Sequence, residues 1–119
     1  MLNYKTVRTY LLDKQGAVED YPFGPDALVP KVGGKMFAVV TVESAPVYIS
    51  LKCDPEYATD MRARYPAVQP GYHLSKKHWN TVTLDGTIED EVVLGFIDDS
   101  YGLVVKSLSR AAREKLEAQ

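Results

Sequence analysis

Apolar residues along this chain recur in two rhythms, one of period two in the middle and one of helical period at both ends. The cleanest alternation follows Pro46, where Val47, Ile49, Leu51 and Cys53 alternate with Tyr48, Ser50 and Lys52. Side chains of a strand point to opposite faces in turn, so this segment predicts a strand with one face in the core. From Lys35 to Glu43 a second alternating run places Met36, Ala38, Val40 and Val42 on one side and Phe37, Val39 and Thr41 on the other. Both sides are rich in apolar residues, which predicts cover on both faces for part of it. Gly33-Gly34 before it supplies the tight turn of a hairpin, and Lys77 to Leu84 reads as a further strand closed by Asp85-Gly86.

The helical signals have caps. Asn3 precedes Tyr4, Val7, Tyr10 and Leu11 at helical spacing, and Gln15-Gly16 ends that helix. Asp54-Pro55-Glu56 is a helix start, with an N-cap carboxylate and proline at the first helical position; the helix runs to about Tyr65 and stops at Pro66. From Ile88, the positions Val92, Val93, Phe96, Ile97, Tyr101, Val104, Val105 and Leu108 predict one long helix. Ser107 or Ser109 then starts a last short helix, with Arg110, Arg113, Glu114 and Glu117 as its solvated face. Pro22, Gly24 and Pro25 impose an irregular segment, and Pro70-Gly71 a turn.

Together these elements predict an α+β fold: an N-terminal helix, a central and mostly antiparallel twisted sheet, an internal helix, and C-terminal helices packed on the sheet. A single domain over residues 1–119 is expected, with a core that includes Met36, Val40, Ile49, Leu51, Val93, Ile97, Tyr101 and Val104.

Composition adjusts this picture in three places. The lone cysteine, Cys53, has no partner for an internal disulfide, and the N-terminus lacks a basic-then-apolar leader, so a cytoplasmic location is expected. No apolar run approaches the roughly 20 residues of a membrane span, so no membrane association is expected. A net charge of −2 argues against a protein coated in positive potential; any nucleic-acid contact needs a local patch.

Candidate chemistry is concentrated in residues 72–82, Tyr-His-Leu-Ser-Lys-Lys-His-Trp-Asn-Thr-Val, which hold both histidines, the only tryptophan and a lysine pair. Aromatic surface beside ammonium charge suits a phosphate-bearing or planar ligand. Packing of Trp79 into the core explains it equally well. Asn80 has low β propensity for a strand position and is easier to understand if its amide makes a specific contact. Elsewhere the signals are weaker. Gly33-Gly34-Lys35 is not a phosphate loop, because Val29 stands where the first glycine belongs and Met36 where Ser or Thr is required. His73, His78 and Cys53 do not have zinc-site spacing. Ser50, Ser75 and Ser100 lack a nucleophile elbow, and the Cys53 thiol is expected to be inert core. Glu89, Asp90, Glu91, Asp98 and Asp99 read as dipole partners and solvated surface rather than a cation ridge. No catalytic residues, metal site or cofactor are expected.

Three segments carry a resemblance to a known family. They are Pro22-Phe23-Gly24-Pro25-Asp26 with Lys31-Val32-Gly33-Gly34-Lys35-Met36-Phe37-Ala38; Ser50-Leu51-Lys52-Cys53-Asp54-Pro55; and Tyr65 to His73 continuing through Lys77-His78-Trp79-Asn80-Thr81-Val82. With Ser100-Tyr101 and Leu103-Val104-Val105, the chain resembles the MmcQ/YjbR family over most of its length. That resemblance implies a frataxin-like (CyaY-like) fold and a non-enzymatic DNA-binding protein with a double-wing arrangement. It places DNA contacts at Lys31 and Lys35 around the first turn, and at Lys76, Lys77, His78, Trp79 and Asn80. Pro30 departs from the family pattern and marks an edge or distorted strand; Leu74-Ser75 replaces a common Met-Asn pair. Weak, salt-sensitive DNA binding is expected. One alternative is a small-molecule or protein-interaction module with a pocket around Tyr72, His73, His78, Trp79 and Asn80. A second is a frataxin-like metal or iron-sulfur partner using the acidic residues.

Overall fold

The computed structural model describes residues 2–119. Its elements are α1 (Tyr4–Leu12), β1 (Ala27–Leu28), β2 (Lys31–Val32), β3 (Lys35–Met36), β4 (Ala38–Thr41), β5 (Val47–Lys52), α2 (Pro55–Arg64), β6 (Val68–Pro70), β7 (Trp79–Leu84), α3 (Asp90–Ser107) and α4 (Arg110–Glu117). Five strands form one sheet in the order β1-β4-β5-β7-β6, every neighbouring pair antiparallel, and β2-β3 is a separate hairpin. The α+β expectation holds.

The helix starts are those the sequence marks. The Asn3 side chain accepts from the Thr6 N–H, Asp54 from Glu56, and Ser109 from Ala112, each satisfying a backbone donor that has no partner within its helix. The β5 alternation also holds, and its inward residues align with those of its neighbours. Val40 lies opposite Ile49, Ile49 opposite Val82 and Val82 opposite Val68, all buried. Val7 and Leu11 of α1, Ala58 and Met61 of α2, and Val93, Ile97 and Val104 of α3 belong to the same core.

Four readings are corrected. The run from Lys35 to Glu43 is not one strand: it breaks at Phe37, whose N–H bonds the Pro30 carbonyl at 3.1 Å. Phe37 is fully buried there, and its own carbonyl accepts from the buried Ser100 hydroxyl at 2.6 Å. At this break the chain passes from the hairpin into the main sheet, and Pro30 itself separates β1 from β2. Second, the Pro70-Gly71 turn conceals a short strand. Val68–Pro70 pairs with β7 at the sheet edge, where a proline's missing N–H costs no ladder bond. Third, β7 begins at Trp79, leaving Lys77 and His78 in the preceding turn. Last, Met36 and Tyr101 are only partly buried. Met36 lies in the outlying hairpin, and Tyr101 packs edge-on against Phe37 while its hydroxyl reaches the Gln15 carbonyl at 2.6 Å.

Candidate functional site: an uncovered sheet face bordered by a cationic loop

Alternation along β4, β5 and β7 puts Val39, Thr41, Tyr48, Ser50, Thr81 and Thr83 on the face opposite the core. Tyr48 is exposed, and most of the others are half-buried. These six residues line a concavity of about 720 Å³. Gln69 and Pro70 of β6 and the loop residues Tyr72, His73 and Leu74 border one side, with Phe23 and Ala27 on the other. The floor is partly polar: Ser50 Oγ and Thr81 Oγ1, directly opposite in register, lie 2.8 Å apart.

Residues 71–78 form a loop tied down at both ends and in the middle. Gly71 N–H bonds the Trp79 carbonyl at 2.9 Å, Tyr72 N–H bonds Thr81 Oγ1 at 3.1 Å, and Trp79 N–H returns to the Ser75 carbonyl at 2.9 Å. From outside the loop, the Cys53 N–H reaches the His78 carbonyl at 2.7 Å, and the Arg62 guanidinium bonds the Lys76 carbonyl. Gly71 has no room for a side chain, since a Cβ would stand 2.8 Å from the Cβ of Trp79. His73 has φ 57°, an uncommon backbone for a residue with a side chain, and its ring meets that of Tyr72 with centroids 4.0 Å apart.

The residues expected to contact DNA divide into three groups. Lys76, Lys77 and His78 are exposed together on this loop. Lys76 Nζ donates to the Gly71 carbonyl at 3.2 Å, and none of the three makes an ion pair among the described residues. Lys31 and Lys35 are engaged elsewhere. Lys31 is 2.8 Å from Asp20, whose carboxyl is held below its ordinary range first by that lysine and then by the Tyr21 N–H. Lys35 Nζ bonds the Ser107 carbonyl at 3.2 Å, where it complements the negative end of α3. Gly33 of the same hairpin is seated against Leu108.

Trp79 and Asn80 are the third group, and both are buried, although strand alternation sends them to opposite faces of the sheet. Trp79 is 8 % exposed, so its ring is not available to stack on a base. Asn80 is 1 % exposed; its amide does make the specific contacts that its low β propensity implies, but within the protein, to Arg62 and to the Ala58 carbonyl. Of the five residues assigned to a pocket, Tyr72 and His73 border the concavity, whereas Asn80 lines a different cleft.

That second cleft, about 340 Å³ between α2, α3 and the sheet, contains Cys53. Burial, with the nearby Asp54 charge, pushes its thiol up to about 11, leaving little thiolate near neutrality. Of the acidic residues, Asp98 is bound by Lys14 and by the Tyr10 hydroxyl. Among the described residues no three His, Cys, Asp or Glu side chains gather as a metal site would need. No helix among them is long and apolar enough to cross a membrane.

Sequence reasoning missed the open face itself. Its signal was present in the outward positions of the alternating runs, Tyr48 and Ser50 in one and Thr81 and Thr83 in another.

Fold and site together define an α+β domain with helices over one face of a five-stranded antiparallel sheet and an aromatic-rimmed concavity on the other. The YjbR family model matches residues 12–103, and the chain belongs to the YjbR family. It is 37% identical over 108 residues to the uncharacterized protein YjbR of Escherichia coli K12, covering 90% of this chain and 91% of that one. Uncharacterized protein YbdF of Escherichia coli O157:H7 is 35% identical over 96 residues, covering 81% of this chain and 79% of that one. Among solved structures, Deinococcus radiodurans DR2400, described as a DUF419 domain, superposes with a TM-score of 0.92 at 37% identity, covering 98% of this chain and 89% of its own. A Pseudomonas syringae protein superposes with a TM-score of 0.75 at 27% identity, covering 86% and 98%.

Proposed function

We propose that this protein is a non-enzymatic, cytoplasmic DNA-binding protein whose contact surface is the 71–78 loop and the sheet face beside it. The observation that carries this reading is the exposure of Lys76, Lys77 and His78, with no ion pair among the described residues, on one tethered loop whose first part, Tyr72 to Leu74, borders an uncovered concavity. In a chain of net charge −2, such a patch is where a phosphate backbone would be attracted. The contact set differs from the double-wing expectation. Lys31 and Lys35 already neutralise Asp20 and the end of α3, so the first hairpin has less charge to offer. Trp79 and Asn80 act by holding the loop in place.

Titration of fluorescently labelled DNA at low salt tests this. The Lys76→Ala, Lys77→Ala double variant is expected to weaken binding by about tenfold or more, roughly 1.4 kcal/mol. The Lys31→Ala, Lys35→Ala double variant should bind nearly as the parent does. Absence of binding to any DNA at low salt would falsify the reading.

One observation favours a second reading, a small-molecule site. The concavity of about 720 Å³ is in the range of ligand pockets, roughly 300–1,000 Å³, and Tyr72 and His73 border it as that alternative expects. Calorimetric binding of a planar metabolite by a protein that ignores DNA would establish it.

A further inference from the structure

We infer that the uncovered sheet face stacks unpaired nucleobases, so that the DNA this protein holds is single-stranded. This rests on the proposal that the 71–78 loop binds DNA, and adds which form of it is bound. Among the described residues the exposed large apolar side chains are Val18, Tyr21, Phe23, Tyr48, Tyr57 and Tyr72, and three of these, Phe23, Tyr48 and Tyr72, converge on this one concavity. They are 63 %, 42 % and 72 % exposed, so a large part of each side chain meets water instead of the core. Rings presented on an open sheet are a platform for bases, because every base has a π-face, while a duplex keeps its bases stacked on each other.

Two further features favour a single strand over an apolar partner such as a helix. The floor is partly polar: Thr81 and Thr83 are half-buried there, and their hydroxyl oxygens can accept from the polar edges of bases, which an aliphatic surface does not offer. The ring pair of Tyr72 and His73 is held by the left-handed backbone at His73, and the lysines follow it within the same loop. Stacking surface and phosphate-binding charge therefore lie along one short stretch, the arrangement a single strand uses.

The test compares three labelled ligands at low salt by fluorescence anisotropy: a short oligothymidylate, an abasic strand of the same length, and a duplex. The oligothymidylate is expected to bind at least about tenfold more tightly than the abasic strand, which keeps the phosphates and lacks the bases. Tyr48→Ala and Tyr72→Ala should each weaken oligothymidylate binding by about 5- to 150-fold and leave the abasic strand unchanged, with Tyr48→Phe close to the parent. Thermal melting of each variant confirms that it is folded. Equal binding of the thymidylate and abasic strands, or tighter binding of the duplex, overturns the stacking inference while leaving DNA binding intact. If no strand or duplex binds, the functional reading itself fails and this inference with it.

Discussion

Arg62 Nε donates to Asn80 Oδ1 at 2.7 Å, joining α2 to strand β7 through a side-chain amide that is almost wholly buried. The same guanidinium also bonds the Lys76 carbonyl, while the Asn80 Nδ2 donates to the Ala58 carbonyl at 3.2 Å. One arginine and one asparagine thereby connect helix, strand and loop. The loop that presents the lysines is thus held from the core side, so less ordering is needed when a ligand arrives.

Replacing Asn80 by alanine removes the acceptor for Arg62 and the donor to Ala58 together. Leaving buried polar groups unpaired costs about 1–3 kcal/mol, and urea denaturation should show a loss of that order. Arg62→Ala should loosen the loop, seen as faster amide exchange for residues 71–78. A stability change near zero for Asn80→Ala would show that the amide is not the clip its geometry describes.

Ile49 is fully buried at the middle of the sheet, between Val40 and Val82 in register. Ile49→Ala should cost about 2–5 kcal/mol through lost burial and the cavity left behind. Lys77→Ala, at an exposed position, should stay within about 0.5 kcal/mol of the parent. Equal effects from the two would contradict the assignment of faces.

Cys53 provides a pH test. Burial raises its thiol from an ordinary 9.0 to about 11, so the folded state keeps a proton that the unfolded state releases first. The stability this contributes is fully present below pH 9 and is lost as pH rises through about 11. Alkylation by iodoacetamide should accordingly be slow in the native protein at pH 8 and fast in denaturant. Native reactivity equal to that of the unfolded chain at pH 8 would mean that the thiol is not shielded as described.

The fold was legible because its signals are local. Asn3, Asp54 and Ser109 cap the helices they precede, and the alternation from Val47 to Lys52 marks its own strand. The break at Phe37 was not legible, since it depends on Pro30 and Ser100, partners distant in sequence. The site was half legible. Residues 72–78 stood out by composition, and Tyr72, His73, Lys76, Lys77 and His78 are all exposed there. Composition alone could not distinguish a tryptophan that offers its ring from one that is buried. Nor could it show that Lys31 and Lys35 are occupied, because Asp20 and Ser107 reach them only in the folded chain.

The most direct test of the account is the slope of log affinity against log salt for a single strand. Each neutralised phosphate contributes about 0.7 to its magnitude, so removing Lys76 and Lys77 together should reduce it by about 1.4. Removing Lys31 and Lys35 together should leave it nearly unchanged, because those ammonium groups already face Asp20 and the Ser107 carbonyl. A slope untouched by the first pair and reduced by the second would place the contact on the Gly33-Gly34 hairpin and contradict the account.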